Sequence, residues 1–366
     1  MVKEVKFNMP FINDFVVNED ICNMRCKYCL TGTSTLKKNQ CDNKSKKIMC
    51  YTEGSELQKN MDTVTEKILN TFDISILKIS GGEILLINGI IDYIRKHAPK
   101  YKKVQLLTNG MNLTPSLLRQ LKEIENICIQ ISIDHHTIEG NGYRTPIPKQ
   151  LQQILYNLDC AVQLNIPVEI NCVLHDKNTH LIIDFANYLL KYDNHIILLP
   201  FPVRGRKKCN FYPNVSQLLG LEELINRYTE YKDILPPKVY LEYLLRFLRR
   251  GKREIDCIIP KIAIGSFNDG NITPCANYWF TSLGNVINEN PKMTLKKVNS
   301  DKIYKILTHD RHRPVECNQC FTPWEILNIY AAGELMVEDL KRLPLFSFSG
   351  LESVLSQIKV KEEMMK

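Results

Sequence analysis

Over the first 199 residues, short apolar, β-branched runs alternate with longer stretches of helical periodicity. The runs are Phe15-Val16-Val17, Ile76-Leu77-Lys78-Ile79, Val104-Gln105-Leu106-Leu107, and the segments 127–131, 168–173 and 196–199. Each has strand length and strand composition. Between them, apolar residues return every three or four positions, as at Leu57, Met61, Val64 and Ile68, with similar segments opening near Ile87, Thr114, Lys149 and His180. Six strands joined by five helical crossovers predict a parallel α/β sheet, either doubly wound or a barrel that stops short of eight units. In both, chemistry belongs at the carboxyl ends of the strands. Unusual residues stand there: a cysteine trio after the first run, Ser80-Gly81-Gly82-Glu83 after the second, Thr108-Asn109-Gly110 after the third and Ser132-Ile133-Asp134 after the fourth.

The rest of the chain reads differently. Residues 211–250, rich in Leu, Tyr and Arg, predict a helical bridge. Ile262-Ala263-Ile264, the turn-like Asn268-Asp269-Gly270-Asn271 and Ile272-Thr273 predict a β-hairpin. Segments 324–343 and 346–358 predict closing helices whose apolar faces serve core packing, before a polar tail. The expected division is a core over 1–210, a bridge over 211–250, a second unit over 251–345 and a terminal helix and tail over 346–366.

Composition narrows the class. The 366 residues are 44% hydrophobic and 24% charged, which suits a folded protein. No apolar run approaches bilayer length and the start has no signal-peptide core, so a soluble cytoplasmic protein without membrane contact is expected. The net charge of +8, with no basic stripe or aromatic stacking motif, argues against nucleic acid as partner. Thirteen cysteines in a reducing compartment point to metal or redox use.

Three of them, Cys22, Cys26 and Cys29, lie three and then two residues apart on one short loop. Three thiolates can ligate three irons of a cubane and leave the fourth iron open; a zinc knuckle completed elsewhere, or three unconnected thiols, are the alternatives. Near the other end, Cys257 is followed by twelve residues, Gly270, four residues and Cys275, and later by Cys317 and Cys320. The hairpin would bring Cys257 beside Cys275, and four thiolates suit either a zinc ion or a fully ligated cluster.

The trio, with Tyr28 just before its last cysteine, resembles the signature of the radical S-adenosylmethionine (SAM) enzymes. That resemblance implies a partial (β/α)6 TIM-like barrel, a 4Fe-4S cluster whose open iron is chelated by SAM, and reductive cleavage of SAM to a 5'-deoxyadenosyl radical. It extends to Gly81, Gly82 and Glu83, which look like the segment that receives the SAM ammonium. Thr108, Asn109, Ser132 and Asp134 resemble later SAM-contacting positions, though turn and cap chemistry explains the same residue types. Asn171 on the fifth strand and Arg204 after the sixth are further SAM candidates, the latter toward its carboxylate, against a solvated basic loop. The spacing around Gly270, the following Leu283-Gly284-Asn285-Val286 and the later cysteine pair resemble the SPASM/twitch extension of these enzymes. The shorter twitch form implies a small hairpin-plus-helices domain with one auxiliary 4Fe-4S cluster on Cys257, Cys275, Cys317 and Cys320, with electron transfer as its role. A flavodoxin- or ferredoxin-type reductant is the implied partner.

Six cysteines remain. Cys128 and Cys172 read as small buried hydrophobes, Cys41 and Cys50 fall in a Lys-rich loop, and Cys160 carries no signal. Cys209 is the candidate hydrogen-atom donor, against inert packing. The expected substrate is a ribosomally made peptide, with a small aminocyclitol, sugar or polyol as the alternative and a zinc-stabilised binding module as the non-enzyme reading. Only 21 residues precede Cys22, too few for a separate leader-recognition domain.

Overall fold

The computed structural model describes residues 10–29, 49–204, 208–308 and 313–358. Six parallel strands form where the apolar runs lie: β1 (Ile12–Val16), β2 (Ile76–Ser80), β3 (Lys103–Thr108), β4 (Ile127–Ser132), β5 (Val168–Leu174) and β6 (Ile196–Pro202). They neighbour one another in chain order. A doubly wound sheet reverses its order at a switch point, so the unbroken order selects the partial barrel of the two expected architectures. β1 starts three residues before the run that predicted it, because Ile12 pairs with Ile76 on one side and Ala263 on the other. All five of its residues are buried.

The crossovers are helices whose ends follow local chemistry. In α1 (Glu56–Leu69) the Ser55 side chain accepts from the Gln58 N–H at the N-terminus, and Leu57, Met61, Val64 and Ile68 face the core. α2 (Ile90–His97) opens after Gly89 at φ +78°, and α3 (Pro115–Lys122) after a Thr114 cap with proline in its first turn. α4 (Pro148–Gln163) and α5 (Ile182–Leu189) complete the set. The bridge holds α6 (Leu219–Asn226) and α7 (Lys238–Arg250), the latter ended by Gly251 at φ +67°.

The hairpin forms from β7 (Ala263–Phe267) and β8 (Asn271–Thr273), turning at Gly270 with φ +91°, and β9 (Gly284–Asn285) adds to its edge. It is not a detached layer. β7 lies parallel to β1, with Asp14 opposite Gly265, so one nine-stranded sheet runs β6-β5-β4-β3-β2-β1-β7-β8-β9. The segment after β1 and the segment after β8 therefore leave from neighbouring parts of one sheet.

The inner barrel face is polar. Lys78, Gln105, Gln130 and Glu169 line it beside Leu199, and the far wall is the C-terminal segment, including Trp324, Ile326 and Leu345. Glu169 accepts from Gln105 Nε2 (2.7 Å), Gln130 Nε2 (3.0 Å) and the Leu345 N–H (3.0 Å). Lys78 Nζ stands 5.2 Å from the Trp324 ring centre. The closing helices are shorter than expected: α8 (Glu325–Ala331), α9 (Val337–Lys341) and α10 (Leu351–Leu355), interrupted at Gly333 (φ +83°), Pro344 and Gly350 (φ +80°). They plug the barrel through hydrogen bonds as well as apolar packing. Among the described residues no helix is long and apolar enough to cross a membrane.

Glu169→Ala strips three buried donors of their acceptor. The expected loss is at least about 1–3 kcal/mol in urea unfolding, and an unchanged midpoint would show that the plug is held without it.

Candidate active site

Cys22, Cys26 and Cys29 are half-buried on the turn that follows β1. The turn is held by the end of β2. Gly82 N–H donates to the Asn18 carbonyl (2.5 Å) and Glu83 N–H to the Ile21 carbonyl (2.6 Å). A methyl group at Gly82 would collide with the Ile21 oxygen, and one at Gly81 would lie 2.5 Å from the Asn18 oxygen. Both glycines are thus required by the close approach of the cysteine loop itself, where the sequence suggested approach of a ligand. Glu83 is buried, with Oε1 accepting from Thr108 Oγ1 (2.7 Å) and Leu85 N–H (3.1 Å) and Oε2 from Asn109 N–H (2.7 Å). Burial raises its carboxyl above the usual range, and these donors oppose the rise. Asn109 Nδ2 reaches Asn23 Oδ1 (2.7 Å), and Asn23 Nδ2 donates to Asn112 Oδ1 (2.9 Å). The ends of β2 and β3 are thereby laced to the segment between Cys22 and Cys26.

A second network grips the other half of the loop. The Tyr28 hydroxyl donates to Asp134 Oδ2. Asp134 is fully buried, and its Oδ1 accepts from Arg144 Nη2 (2.9 Å) and Val173 N–H (3.0 Å), while His175 Nε2 lies 3.7 Å from Oδ2. Burial would raise this carboxyl, but Arg144 and His175 outweigh it and hold it down to about 2. Arg144 also lies 5.6 Å from the Tyr28 ring centre, and Lys27 N–H donates to the Tyr143 carbonyl (2.9 Å). With both oxygens engaged by protein groups, Asp134 supports Tyr28 behind the loop. Arg144 and His175 were missed by sequence reading; an arginine ten residues after Asp134 was the available signal.

The remaining candidates separate. Ser132 and Asn171 are register partners on β4 and β5, and Asn171 Oδ1 is buried with no hydrogen-bond partner among the described residues. Arg204 Nη1 donates to Asn277 Oδ1 (2.8 Å), two residues beyond Cys275, while its Nε is buried with no hydrogen-bond partner among the described residues. It joins β6 to the C-terminal hairpin and is not the solvated loop residue. Cys209 falls in a short helix, Lys208–Phe211, but its side chain lies outside the described residues, as does Cys41. Cys128 and Cys172 are buried, as expected.

Cys257, Cys275, Cys317 and Cys320 line one cavity together with Arg253, Tyr278 and Thr322. The hairpin and the turn after α7 thus bring the four together. Burial pushes the Cys317 thiol up to about 12, and Cys320 and Cys257 add to it; Cys26 in the trio is pushed up to about 12 by burial, with Cys29, Asp134 and Cys22 adding and Arg144 opposing. Thiols so perturbed remain protonated unless a metal takes the thiolate. Among the described residues no three His, Cys, Asp or Glu side chains converge where a single ion could sit.

Gly82→Ala forces the cysteine loop off the end of β2. A loss of about 1–3 kcal/mol, typical of overpacking, is expected, with less iron retained by the trio after reconstitution; wild-type melting temperature and iron content would show the contact to be slack.

Residues 20–189 match the family model described as Radical SAM superfamily. GTP 3',8-cyclase from Clostridium perfringens is 30% identical over 186 residues, 49% of this chain and 51% of that protein. An uncharacterised protein of Methanocaldococcus jannaschii is 25% identical over 292 residues, 77% of this chain and 91% of that one. The chain spans about half the length of the GTP cyclases it matches. In fold it resembles Streptococcus suis SuiB bound to S-adenosylmethionine (TM-score 0.58, 13% identity, 94% of this chain and 77% of that one) and anSMEcpe with bound AdoMet (TM-score 0.57, 17% identity, 96% and 100%). The trio at the end of β1, the glycines that seat it and the unbroken strand order agree with the family match: this chain carries a radical SAM domain over residues 20–189.

Proposed function

We propose that this is a radical SAM enzyme of the cytoplasm that modifies a ribosomally made peptide and uses two iron-sulfur clusters. In this reading Cys22, Cys26 and Cys29 hold the first 4Fe-4S cluster and Cys257, Cys275, Cys317 and Cys320 hold the auxiliary one. With SAM bound, the first cluster would supply reductive cleavage to a 5'-deoxyadenosyl radical. The protein's residues hold and orient. Glu83, fixed by Thr108 and Asn109, stiffens the Gly81-Gly82-Glu83 turn against which SAM would lie. Asn171, with its unpartnered oxygen on the inner strand face beside Ser132, would offer an acceptor to the nucleoside or the substrate. Asp134, through Tyr28, keeps the loop from opening. Residues 251–345 would act as the auxiliary unit although their strands continue the barrel sheet.

The observation that carries the peptide reading is extent. The likeness in fold to SuiB, which has a structure bound to the precursor peptide SuiA, and to anSMEcpe, which has one with the Cp18Cys peptide, runs over 84% and 96% of this chain. The alignments to GTP 3',8-cyclases cover about half of the chain, and they favour a second reading in which the substrate is a purine nucleotide.

Replacing any one of the trio with alanine is expected to abolish 5'-deoxyadenosine formation from SAM under dithionite, whereas Cys317→Ala should spare uncoupled cleavage and lose product. Near-normal cleavage by a trio variant would refute the assignment. Incubation of the reconstituted enzyme with peptides encoded by short reading frames beside its gene, and separately with GTP, decides the substrate by mass. A peptide lighter by two hydrogens supports the first reading, and consumption of GTP supports the second.

A further inference from the structure

The cysteine quartet has a charged neighbour that no part of the proposed chemistry has used. Arg253 lies four residues before Cys257, and its side chain is 3% exposed. Its backbone N–H donates to the Asn318 carbonyl (2.8 Å) and its Nη2 to the Cys320 carbonyl (2.7 Å), so it is fastened to the Cys317–Cys320 turn at two points. Nη1 stands 2.9 Å from Glu325 Oε2, an ion pair by distance without the alignment of a hydrogen bond. Nε and Nη1 have no hydrogen-bond acceptor among the described residues, although both are buried. Arg253 lines the same cavity as all four thiols.

Glu325, itself buried, is fixed in turn. Asn328 Nδ2 donates to its Oε2 (3.0 Å) and lies 3.9 Å from Cys257 Sγ, and Asn328 Oδ1 accepts from the Ile258 N–H (2.9 Å). The quartet is therefore flanked by a fixed cation whose Nε is an unused donor and whose Nη1 is paired with the Glu325 carboxylate, with Glu316 on the same cavity and Arg313 acting on Cys317. Leaving the Nε donor buried and unmatched is costly, and the thiols that line the same cavity are its neighbouring acceptors.

We infer that Arg253 donates hydrogen bonds to the sulfurs of a cluster held by Cys257, Cys275, Cys317 and Cys320, and that the Arg253–Glu325 pair sets the reduction potential of that cluster. The inference rests on the auxiliary-cluster reading. A four-thiolate cluster is anionic and gains a further negative charge on accepting an electron. A fixed cation and N–H donors stabilise the reduced state more than the oxidised state and raise the potential, and a nearby carboxylate lowers it. Arg253 and Glu325 thus pull in opposite directions, with the arginine the closer member. Both are positioning residues, since neither is placed on the substrate.

The test uses the full chain with Cys22, Cys26 and Cys29 replaced by alanine, reconstituted with iron and sulfide, so that only the auxiliary cluster is read. Redox titration followed by EPR gives its potential. Arg253→Met is expected to shift it to more negative values, Arg253→Lys to shift it less in the same direction, and Glu325→Gln to shift it to more positive values, each with about four irons per chain retained. A purely structural role would change iron content or thermal stability without this opposition of sign. Unchanged potentials in loaded Arg253→Lys and Glu325→Gln proteins would overturn the inference while leaving the auxiliary cluster in place. Absence of iron from the parent triple-alanine protein would instead defeat the reading on which it rests. Should Arg253→Met fail to load, the lysine and glutamine variants carry the test.

Discussion

The close approach of two backbones governs this molecule. The turn that carries Cys22, Cys26 and Cys29 lies on the end of β2 because residues 81 and 82 have no side chain, so that two N–H groups there can meet the carbonyls of Asn18 and Ile21. That contact depends on β1 being flanked by β2 on one side and β7 on the other, in register at Asp14. The hairpin between Cys257 and Cys275 therefore also props the strand that launches the trio. One sheet serves both cysteine sites, and damage to either edge of β1 should be felt at both.

Electrostatic order follows the same frame. The barrel interior carries Lys78, Glu169 and two glutamines in place of the branched apolar layers that usually fill such folds. Its polar groups are largely satisfied by each other and by the C-terminal plug, with Gln130 Oε1 still unpartnered among the described residues. Toward the mouth, carboxylates are assigned to holding tasks: Glu83 ties β2 to β3, and Asp134 holds Tyr28. On β5 the oxygen of Asn171 has no partner among the described residues.

Much of this was legible in the sequence. Apolar runs at period two and helical stretches at period 3.6 located all six barrel strands and five crossovers, because those signals arise from burial itself. Cysteine spacing located both metal-binding candidates, because ligands must be close along the chain or brought close by a hairpin. What escaped was pairing across long sequence separation. The register of β7 beside β1 joins residues about 250 apart, and no local pattern encodes it. The protein partners of Asp134 and Arg204 escaped for a related reason: a polar residue at a strand end suits a ligand or a neighbouring loop equally, and Tyr28 and Asn277 lie 106 and 73 residues away. Arg253 and Glu325 gave a fainter signal, charges four and five residues from cysteines, the first of them in a run of other charges.

The account stands or falls on two clusters in one chain. Iron and acid-labile sulfide content after anaerobic reconstitution, measured on the wild type and on the Cys22, Cys26, Cys29 triple-alanine protein, addresses it most directly. About eight irons falling to about four is the predicted result. About four falling to none would contradict it, leaving the C-terminal quartet without a cluster and the proposed electron path through it without a carrier.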